Sequence, residues 1–307
     1  AQQAINALSL GALYGLIAVG FTLAFAASGV FNLALGTIFT LGAFQAFLAW
    51  QLGERWLGEG WLVALPAILL MALLGGAAAS YASERAVFRQ IAGRRPQPSL
   101  VAAAGLLIVF QEAMRLLQGP KTRWLPFRDG NSWTLLEEPG FTLVMSRGHL
   151  FVLLATLLLA AGLFLYLRRT VAGRSLRAVA DDPGAAALLG VSVGRTVAIA
   201  FLLSGGLAGV AGGFAFLHYG AVNPSIGLLI GFKALAASIL GGIGSVPGAL
   251  AGGLLIAAVE ASATALGLSA WKDVLVFALL VAVLCLRPAG LFGQQRDLGP
   301  EGRFGRA

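Results

Sequence analysis

The sequence predicts an all-α polytopic membrane protein with eight or nine transmembrane helices, and its composition is the main reason. Of 307 residues, 58% are hydrophobic and only 11% are charged, about half the charged fraction of a soluble domain. The mean hydropathy of +0.86 implies more apolar surface than a water-soluble protein of this size can bury. Abundant Leu, Ala and Gly favour helical spans over the alternating strands of a β-barrel. A soluble enzyme, a disordered chain and a coiled coil are therefore excluded.

Nine apolar segments are candidate spans, because a helix needs about 20 apolar residues to cross a bilayer. The segment 227–242 is short and bounded by glycines, so it is either a ninth span or a re-entrant piece. The whole chain, 1–307, is expected to form one transmembrane domain. The nine segments are 4–27, 31–50, 61–84, 99–117, 149–167, 197–217, 227–242, 246–266 and 272–287.

The distribution of Lys and Arg predicts the orientation. The loops 85–98 and 168–196 and the tail beginning at Arg287 hold 13 basic residues, against 6 in the opposite loops. By the positive-inside rule the first group is cytoplasmic. The N-terminus and the large loop 118–148 then lie outside, and the cytoplasmic tail is 288–307. This asymmetry accounts for the net charge of +8 without a nucleic-acid partner.

The 42 glycines include residues that recur at four-residue spacing. Small residues on one stripe let helices approach closely in lipid. The stripes predict packing faces, which are either ordinary bundle contacts or contacts between helices that slide. The residues with this helix-packing prediction are Gly205, Gly209, Gly213, Gly244, Gly248 and Gly252.

Two short patterns share one spacing. Gly29, Asn32 and Gly36 are matched by Gly220, Asn223 and Gly227. The predicted orientation puts the first set inside and the second outside, as an inverted-topology repeat requires. The match is either such a repeat or a coincidence.

Away from the ends of the predicted spans, the charged residues are Glu112, Arg115, Lys233 and Glu260, in a region where charge is costly and tends to be functional. Glu112 and Arg115 are three residues apart and can pair on one helix face. Lys233 and Glu260 can neutralise one another between helices, which is a hypothesis. Replacing either alone should then do more damage than replacing both with apolar residues.

The sequence carries no motif for hydrolysis, metal binding or nucleotide binding. There is no GxSxG elbow and no HExxH, and neither His149, His218 nor Cys285 has ligand spacing to other donors, so no metal site is expected. Gly-Lys never occurs, so the phosphate-binding loop GxxxxGK[ST] is absent. If transport is active, its energy comes from an ion gradient or from another subunit.

The cytoplasmic loop 168–196 is too long for a simple connector. Residues 174–179 predict a short amphipathic helix. Asp182 is placed to cap a second helix that begins at Pro183, and Gly190 is placed to end it. Such a loop either docks into the groove of a partner or lies on the membrane surface.

Four segments resemble the permease subunits of high-affinity branched-chain amino acid ABC importers, over residues 5 to 293. One departure is visible: the family pattern Asn-Phe-Ala-His-Gly is NLALG here, with Leu35 in place of the His, so no role of that imidazole carries over. The similar segments are SLGALYGLIAVGFTL (9–23), RAVADDPGAAALLGV (177–191), GFKALAASILGGIGSVPGA (231–249) and LRPAGLFG (286–293).

The resemblance implies a multi-pass protein of the bacterial inner membrane that is not itself an enzyme. It binds no cofactor, because ATP is used by two cytoplasmic ATPase subunits. A second homologous permease and membrane lipid complete the membrane part. A periplasmic binding protein delivers the amino acid to the external loops, expected at 118–148 and 219–227.

The resemblance also implies roles for residues of this chain. The contact with the ATPase is expected at Arg177, Asp181, Asp182 and Ala186. The remaining coupling-loop residues are Arg174, Leu189 and Gly190. Apart from the resemblance, we take five polar or ionisable residues as the candidate translocation pathway: Asn32, Gln111, Asn223, Lys233 and Glu260.

Three alternatives stay open at this stage. The solute of the permease could be urea, a short amide or another small molecule. An ion-coupled secondary carrier would place Glu112, Lys233 or Glu260 at the midplane as a relay. An intramembrane enzyme would need polar side chains clustered in one cavity.

Overall fold

A computed structural model describes residues 2–57, 61–91, 96–124, 132–138 and 141–293. A π-helix, Glu84–Phe88, joins α3 to α4, and a 3-10 turn, Ser269–Trp271, precedes α12. The helices are α1 (Gln2–Ser28), α2 (Leu35–Leu57), α3 (Trp61–Ser83), α4 (Arg89–Ile91), α5 (Pro96–Gln118), α6 (Arg147–Arg169), α7 (Val171–Asp181), α8 (Pro183–Leu188), α9 (Val193–Tyr219), α10 (Ile226–Gly241), α11 (Val246–Ala265) and α12 (Lys272–Leu286). The strands are β1 (Arg123–Trp124), β2 (Ser132–Glu138), β3 (Phe141–Ser146) and β4 (Ala221–Val222).

The predicted fold class is confirmed. Among the described residues, eight helices are long and apolar enough to cross a membrane, and each of the nine predicted segments coincides with a helix. The short segment is α10, whose 16 residues extend about 24 Å. The number of membrane-spanning helices is therefore eight without α10 and nine with it.

The core is built around α1 and α9, which pack against each other. α1 also packs against α10 and α11, while α9 packs against α2 and α3. The side chains of Phe21, Phe39 and Phe214 are fully buried between these helices. In contrast, α5, α6 and α12 present rows of exposed leucine and valine, as expected of helices that face lipid.

Glycines bring the central helices into backbone contact. A Cβ added to Gly209 would lie 2.1 Å from the carbonyl oxygen of Ala72 in α3, and one on Gly205 would lie 2.4 Å from that of Gly76. Gly213 continues the row, with an added Cβ 3.3 Å from the Ala72 Cβ. The stripe on α9 therefore faces α3.

The second predicted stripe is correct only in part. Gly248 and Gly252 face α10, since added Cβ atoms would lie 2.3 Å from the Gly241 oxygen and 2.1 Å from the Ala237 oxygen. Gly244 lies outside the helix, in the turn before α11, with φ +95° and no atom within 4 Å of an added Cβ. The prediction that Gly244 packs between helices is wrong, because α11 begins two residues later.

The structure supports the predicted inverted repeat. α1 and α9 each have 27 residues, and each is followed by a glycine with positive φ, 69° at Gly29 and 61° at Gly220. Asn32 then accepts a hydrogen bond from the backbone N–H two residues on at 3.2 Å, and Asn223 does so at 2.9 Å. The next helix begins three residues after each asparagine.

The two copies meet and run in opposite directions. Gly36 and Gly227 lie in backbone contact, since a Cβ added to Gly227 would lie 2.0 Å from the Gly36 oxygen. Ala27, near the end of α1, packs against Ala200, early in α9. Gly20, earlier in α1, lies beside Ser204, which is later in α9. The two helices are therefore antiparallel. The matched spacing is thus a structural repeat, with equivalent glycines at its centre.

The ends of the helices separate as the predicted orientation requires. The inner ends of α1 and α6, the helix α7, the turn 242–245 and the segment 288–293 converge at one end of the molecule. At the other end β1 pairs with β4, which joins the loop after α5 to the loop after α9. We take the first end, which holds loop 168–196, as cytoplasmic.

The external loop 118–148 contains a feature that the sequence analysis did not predict. β2 and β3 form an antiparallel hairpin. Residues 125–131 and 139–140 of this loop, and 294–307 of the predicted tail, lie outside the described residues.

Candidate functional site

The loop 168–196, predicted to be cytoplasmic, contains two capped helices separated by the single residue Asp182. Thr170 caps α7 by accepting from the Gly173 N–H at 3.1 Å. Asp182 caps α8 by accepting from the N–H groups of Gly184 at 2.7 Å and Ala185 at 3.0 Å. Gly190, with φ +83°, ends the segment. The predicted caps are present, and α7 starts three residues before the predicted helix.

One face of α7 anchors the loop to the bundle. Gly173, Leu176 and Val179 are buried, and Leu176 packs with Ala27 of α1 and Ala200 of α9. This spacing of three residues puts them on one side of the helix. α7 is therefore packed against the end of α1 and the beginning of α9.

The opposite face of α7 carries exposed charge. Arg174, Arg177 and Asp181 are exposed. The Arg177 guanidinium donates to the carbonyl oxygen of Leu167, one of the last carbonyls of α6, which lack partners within that helix. Asp181 is also engaged in an interaction.

The exposed apolar surface at the end of α8 agrees only in part with the sequence analysis, which named Leu189 and Ala186 but not Leu188. Ala186 is 2% exposed, whereas Leu188 is 91% and Leu189 is 83% exposed. The expected contact between the Ala186 side chain and a partner does not fit this structure, because that methyl is covered by the chain itself. Leu188 and Leu189 form the outward surface, and Leu188 was missed because a six-residue helix has too little periodicity to show its exposed side.

Lys233 lies in a buried ionic cluster built by four helices. Its ammonium contacts the Glu260 carboxylate and lies 2.6 Å from Oδ1 of Asp273. The Tyr14 hydroxyl donates to Oε2 of Glu260 at 3.0 Å. The side chains of Lys233 and Glu260 are 3% and 7% exposed, against 40% for Asp273. The predicted pairing of Lys233 with Glu260 is present, and these groups are occupied with one another.

The remaining pathway candidates lie in separate surroundings. Asn32 is fully buried in the first repeat motif. Asn223 donates to Thr122 at 3.1 Å, joining the two external loops beside the β1–β4 pair. Gln111 is half-buried on the peripheral helix α5. Across the described part of the chain, no hydrogen bond connects Asn32, Gln111 or Asn223 to the Lys233 cluster.

Comparison with known proteins decides the family. The family model described as "Branched-chain amino acid transport system / permease component" matches residues 3–284. The chain belongs to this permease family. It is 35% identical over 297 residues to the high-affinity branched-chain amino acid transport system permease protein BraD of Pseudomonas aeruginosa, covering 95% of each chain.

Other relatives extend this comparison. The LivH permease of the corresponding Escherichia coli K12 system is 33% identical over 294 residues, again 95% of each chain. The autoinducer 2 import system permease LsrC of Klebsiella pneumoniae is 36% identical over 196 residues, 62% of this chain and 55% of LsrC. No solved structure matches the chain. The chain is thus a transport permease and a multi-pass membrane protein.

A second ion pair of this permease was missed by the sequence analysis. In the π-helix after α3, Glu84 is 2% exposed and pairs with Arg89 at 3.0 Å, and Arg89 also reaches the Gly194 carbonyl at 3.5 Å. Residues five apart do not face each other in an α-helix, but π-helical hydrogen bonds link i to i+5. The pair is visible only once the π-helix is known.

Other sequence predictions concern single residues. Arg115 pairs with Glu112 at 2.7 Å on an exposed face of α5, as predicted. His218 packs its ring against Tyr219, and Cys285 is exposed. Across the described residues of the permease, no group of three His, Cys, Asp or Glu is placed to hold a metal ion.

Proposed function

We propose that this permease is the membrane subunit of an ATP-driven importer that moves branched-chain amino acids delivered by a periplasmic binding protein. The observation that carries the proposal is the family match over residues 3–284, together with relatives of that name aligned over 95% of the chain. Two cytoplasmic ATPase subunits and a second homologous permease complete the proposed assembly.

The loop α7–α8 is the proposed contact with an ATPase. Leu188 and Leu189 supply an exposed apolar pair of the kind that fits a groove in a partner. The Asp182 cap fixes the direction of α8, and the buried face of α7 joins the contact to α1 and α9. ATP-driven closure of the ATPases would move this loop and with it the two central helices.

The external face is the proposed contact with the binding protein. The pairing of β1 with β4 and the Asn223–Thr122 hydrogen bond hold the loops 118–148 and 219–227 together. A docked protein would therefore act on α5 and α9 as a unit.

The coupling role is tested with Leu188→Asp combined with Leu189→Asp. Both side chains are exposed, so insertion and folding should be retained, while ATP-dependent leucine uptake by the reconstituted transporter should fall at least about tenfold as ATP hydrolysis continues. Leu266→Asp is the matched control, since Leu266 is 75% exposed at the external end of α11. Normal uptake by the double variant would reject the contact.

The solute and the energy source are tested in the same vesicles. Leucine, isoleucine and valine should be taken up only with ATP and all subunits, and urea and acetamide should not compete. Uptake that survives ATP removal but stops when the ion gradient is collapsed would instead identify a secondary carrier. Uptake of urea in preference to leucine would reject the proposed solute.

A further inference from the structure

A large cleft opens at the cytoplasmic end of the molecule, in a place where the proposed transport function assigns no ligand. It lies between the inner ends of α1 and α6, the helix α7, the turn before α11 and the segment 288–293. Its volume is about 820 Å³. Pockets of roughly 300–1,000 Å³ enclose drug-sized ligands, and an aliphatic amino acid would fill only a small part of this one.

The rim of the cleft carries two arginines that are already held in place. Arg168 lies over the ring of Phe164, 4.5 Å from its centroid, and the Arg177 guanidinium donates to the Leu167 carbonyl. Asp181 is the acidic residue on the same rim. The exposed Arg169, Arg174 and Arg287 flank these lining residues in sequence. The rim is therefore cationic, and its charges lie at the predicted inner membrane surface.

The interior of the cleft is mainly apolar. Its walls include Leu23, Phe25, Ile239 and Val246. These side chains form an apolar surface of the kind that a hydrocarbon chain covers favourably.

We propose that this cleft binds one phospholipid with an anionic headgroup from the cytoplasmic leaflet. The phosphate would contact Arg168 and Arg177, because charge-assisted bonds from guanidinium to phosphate are among the strongest hydrogen bonds in proteins. An acyl chain would occupy the apolar interior. Basic pockets between helices on the cytoplasmic side suit such headgroups. Since α7 forms one wall, the lipid would brace the coupling loop against α1 and α6.

The test measures lipid binding directly, on the full chain solubilised in detergent with any subunits that accompany it. Dioleoyl phosphatidylglycerol and dioleoyl phosphatidylcholine are titrated separately, and bound lipid is counted by native mass spectrometry. Phosphatidylglycerol should bind one per chain and phosphatidylcholine at least tenfold more weakly. Arg168→Gln should weaken phosphatidylglycerol binding roughly tenfold, the effect of losing one charged hydrogen bond.

Two further variants separate this site from general attraction. Ala26→Phe puts a ring into the apolar interior without changing charge and should reduce binding as much as Arg168→Gln. Arg85→Gln removes an exposed arginine outside the cleft and should leave binding unchanged. If Ala26→Phe does not fold, Arg168→Gln, which alters an exposed side chain, still decides the question.

Four results would overturn the proposal. Equal loss in Arg85→Gln would mean unspecific attraction to cationic surface. Equal binding of phosphatidylcholine would remove the headgroup requirement. Competition by millimolar inorganic phosphate would indicate a site for a free anion, and displacement by leucine would indicate a solute vestibule. None of these results depends on whether the permease works with an ATPase.

Discussion

The two halves of the inverted repeat share a backbone plan but hold their buried carboxylates differently. Glu84 follows α3, the third helix of the first half, and pairs with Arg89, which is 41% exposed. Glu260 lies near the end of α11, the third helix of the second half, and pairs with Lys233, which is 3% exposed. One pair has a partner that is open to solvent, and the other is enclosed by protein.

The difference shows which pair is held more rigidly. An ion pair whose two groups are hydrated adds little to the free energy of unfolding, about 0–1 kcal/mol at exposed sites. A buried pair has given up hydration at both groups, so loss of one partner leaves an uncompensated charge. We therefore expect the Lys233 cluster to fasten α1, α10, α11 and α12 together, while the Glu84–Arg89 pair can open when the cytoplasmic end moves.

The largest effect is expected from Lys233→Met. It leaves Glu260 enclosed without a cation, which costs about 3–5 kcal/mol when a buried pair is broken. The purified variant should melt at a markedly lower temperature in detergent, or fail to accumulate in the membrane.

The double variant Lys233→Met with Glu260→Leu is the control for Lys233→Met. It removes both buried charges, and the half-exposed Asp273 can be hydrated, so the double variant should be more stable than either single change. A double variant as unstable as the single one would show that these residues do not act as a pair.

A middle-sized effect is expected where the halves resemble each other. Gly209→Ala places a Cβ 2.1 Å from a carbonyl oxygen of α3, and Gly253→Ala places one 2.4 Å from the Gly15 nitrogen of α1. Each should lower stability by about 1–3 kcal/mol, as overpacking does, measured by thermal melting in detergent. Gly105→Ala, with nothing within 4 Å of the added Cβ, should be neutral or stabilising. If only one of the two variants, Gly209→Ala or Gly253→Ala, is destabilised, the two helix contacts are not equivalent.

The smallest effect is expected from Arg89→Gln. Arg89→Gln leaves the Glu84 carboxylate, which is 2% exposed, without its cation, but the Gln amide can still donate a hydrogen bond to it. Stability should therefore fall by about 1–2 kcal/mol, below the loss in Lys233→Met. Arg85→Gln in the adjoining π-helix is the control and should have no effect, since the Arg85 side chain is exposed. A loss in Arg89→Gln as large as that in Lys233→Met would contradict the proposed difference between the two clusters.

The parts of the candidate site that the sequence predicted correctly are mostly those whose contacts join residues close together in the chain. The Asp182 cap, the turn at Gly190 and the Glu112–Arg115 pair join residues within a few positions of each other. The Lys233–Glu260 pair was predicted only because charges in lipid need partners. Asp273 and Tyr14 could not be added to it, because their helices meet α10 and α11 only after the bundle has packed.

The sequence by itself determined the membrane class and the positions of the apolar spans, because the length of a hydrophobic run is a property of the chain alone. The orientation is a prediction from the Lys and Arg asymmetry, and the structure was needed to tell the repeat from a coincidence. Only the tertiary structure decided that Gly244 lies in a turn, that Ala186 is covered while Leu188 is exposed, and that a π-helix brings Glu84 to Arg89. Each of these depends on which backbone surfaces come into contact, and that is settled when the helices pack against one another.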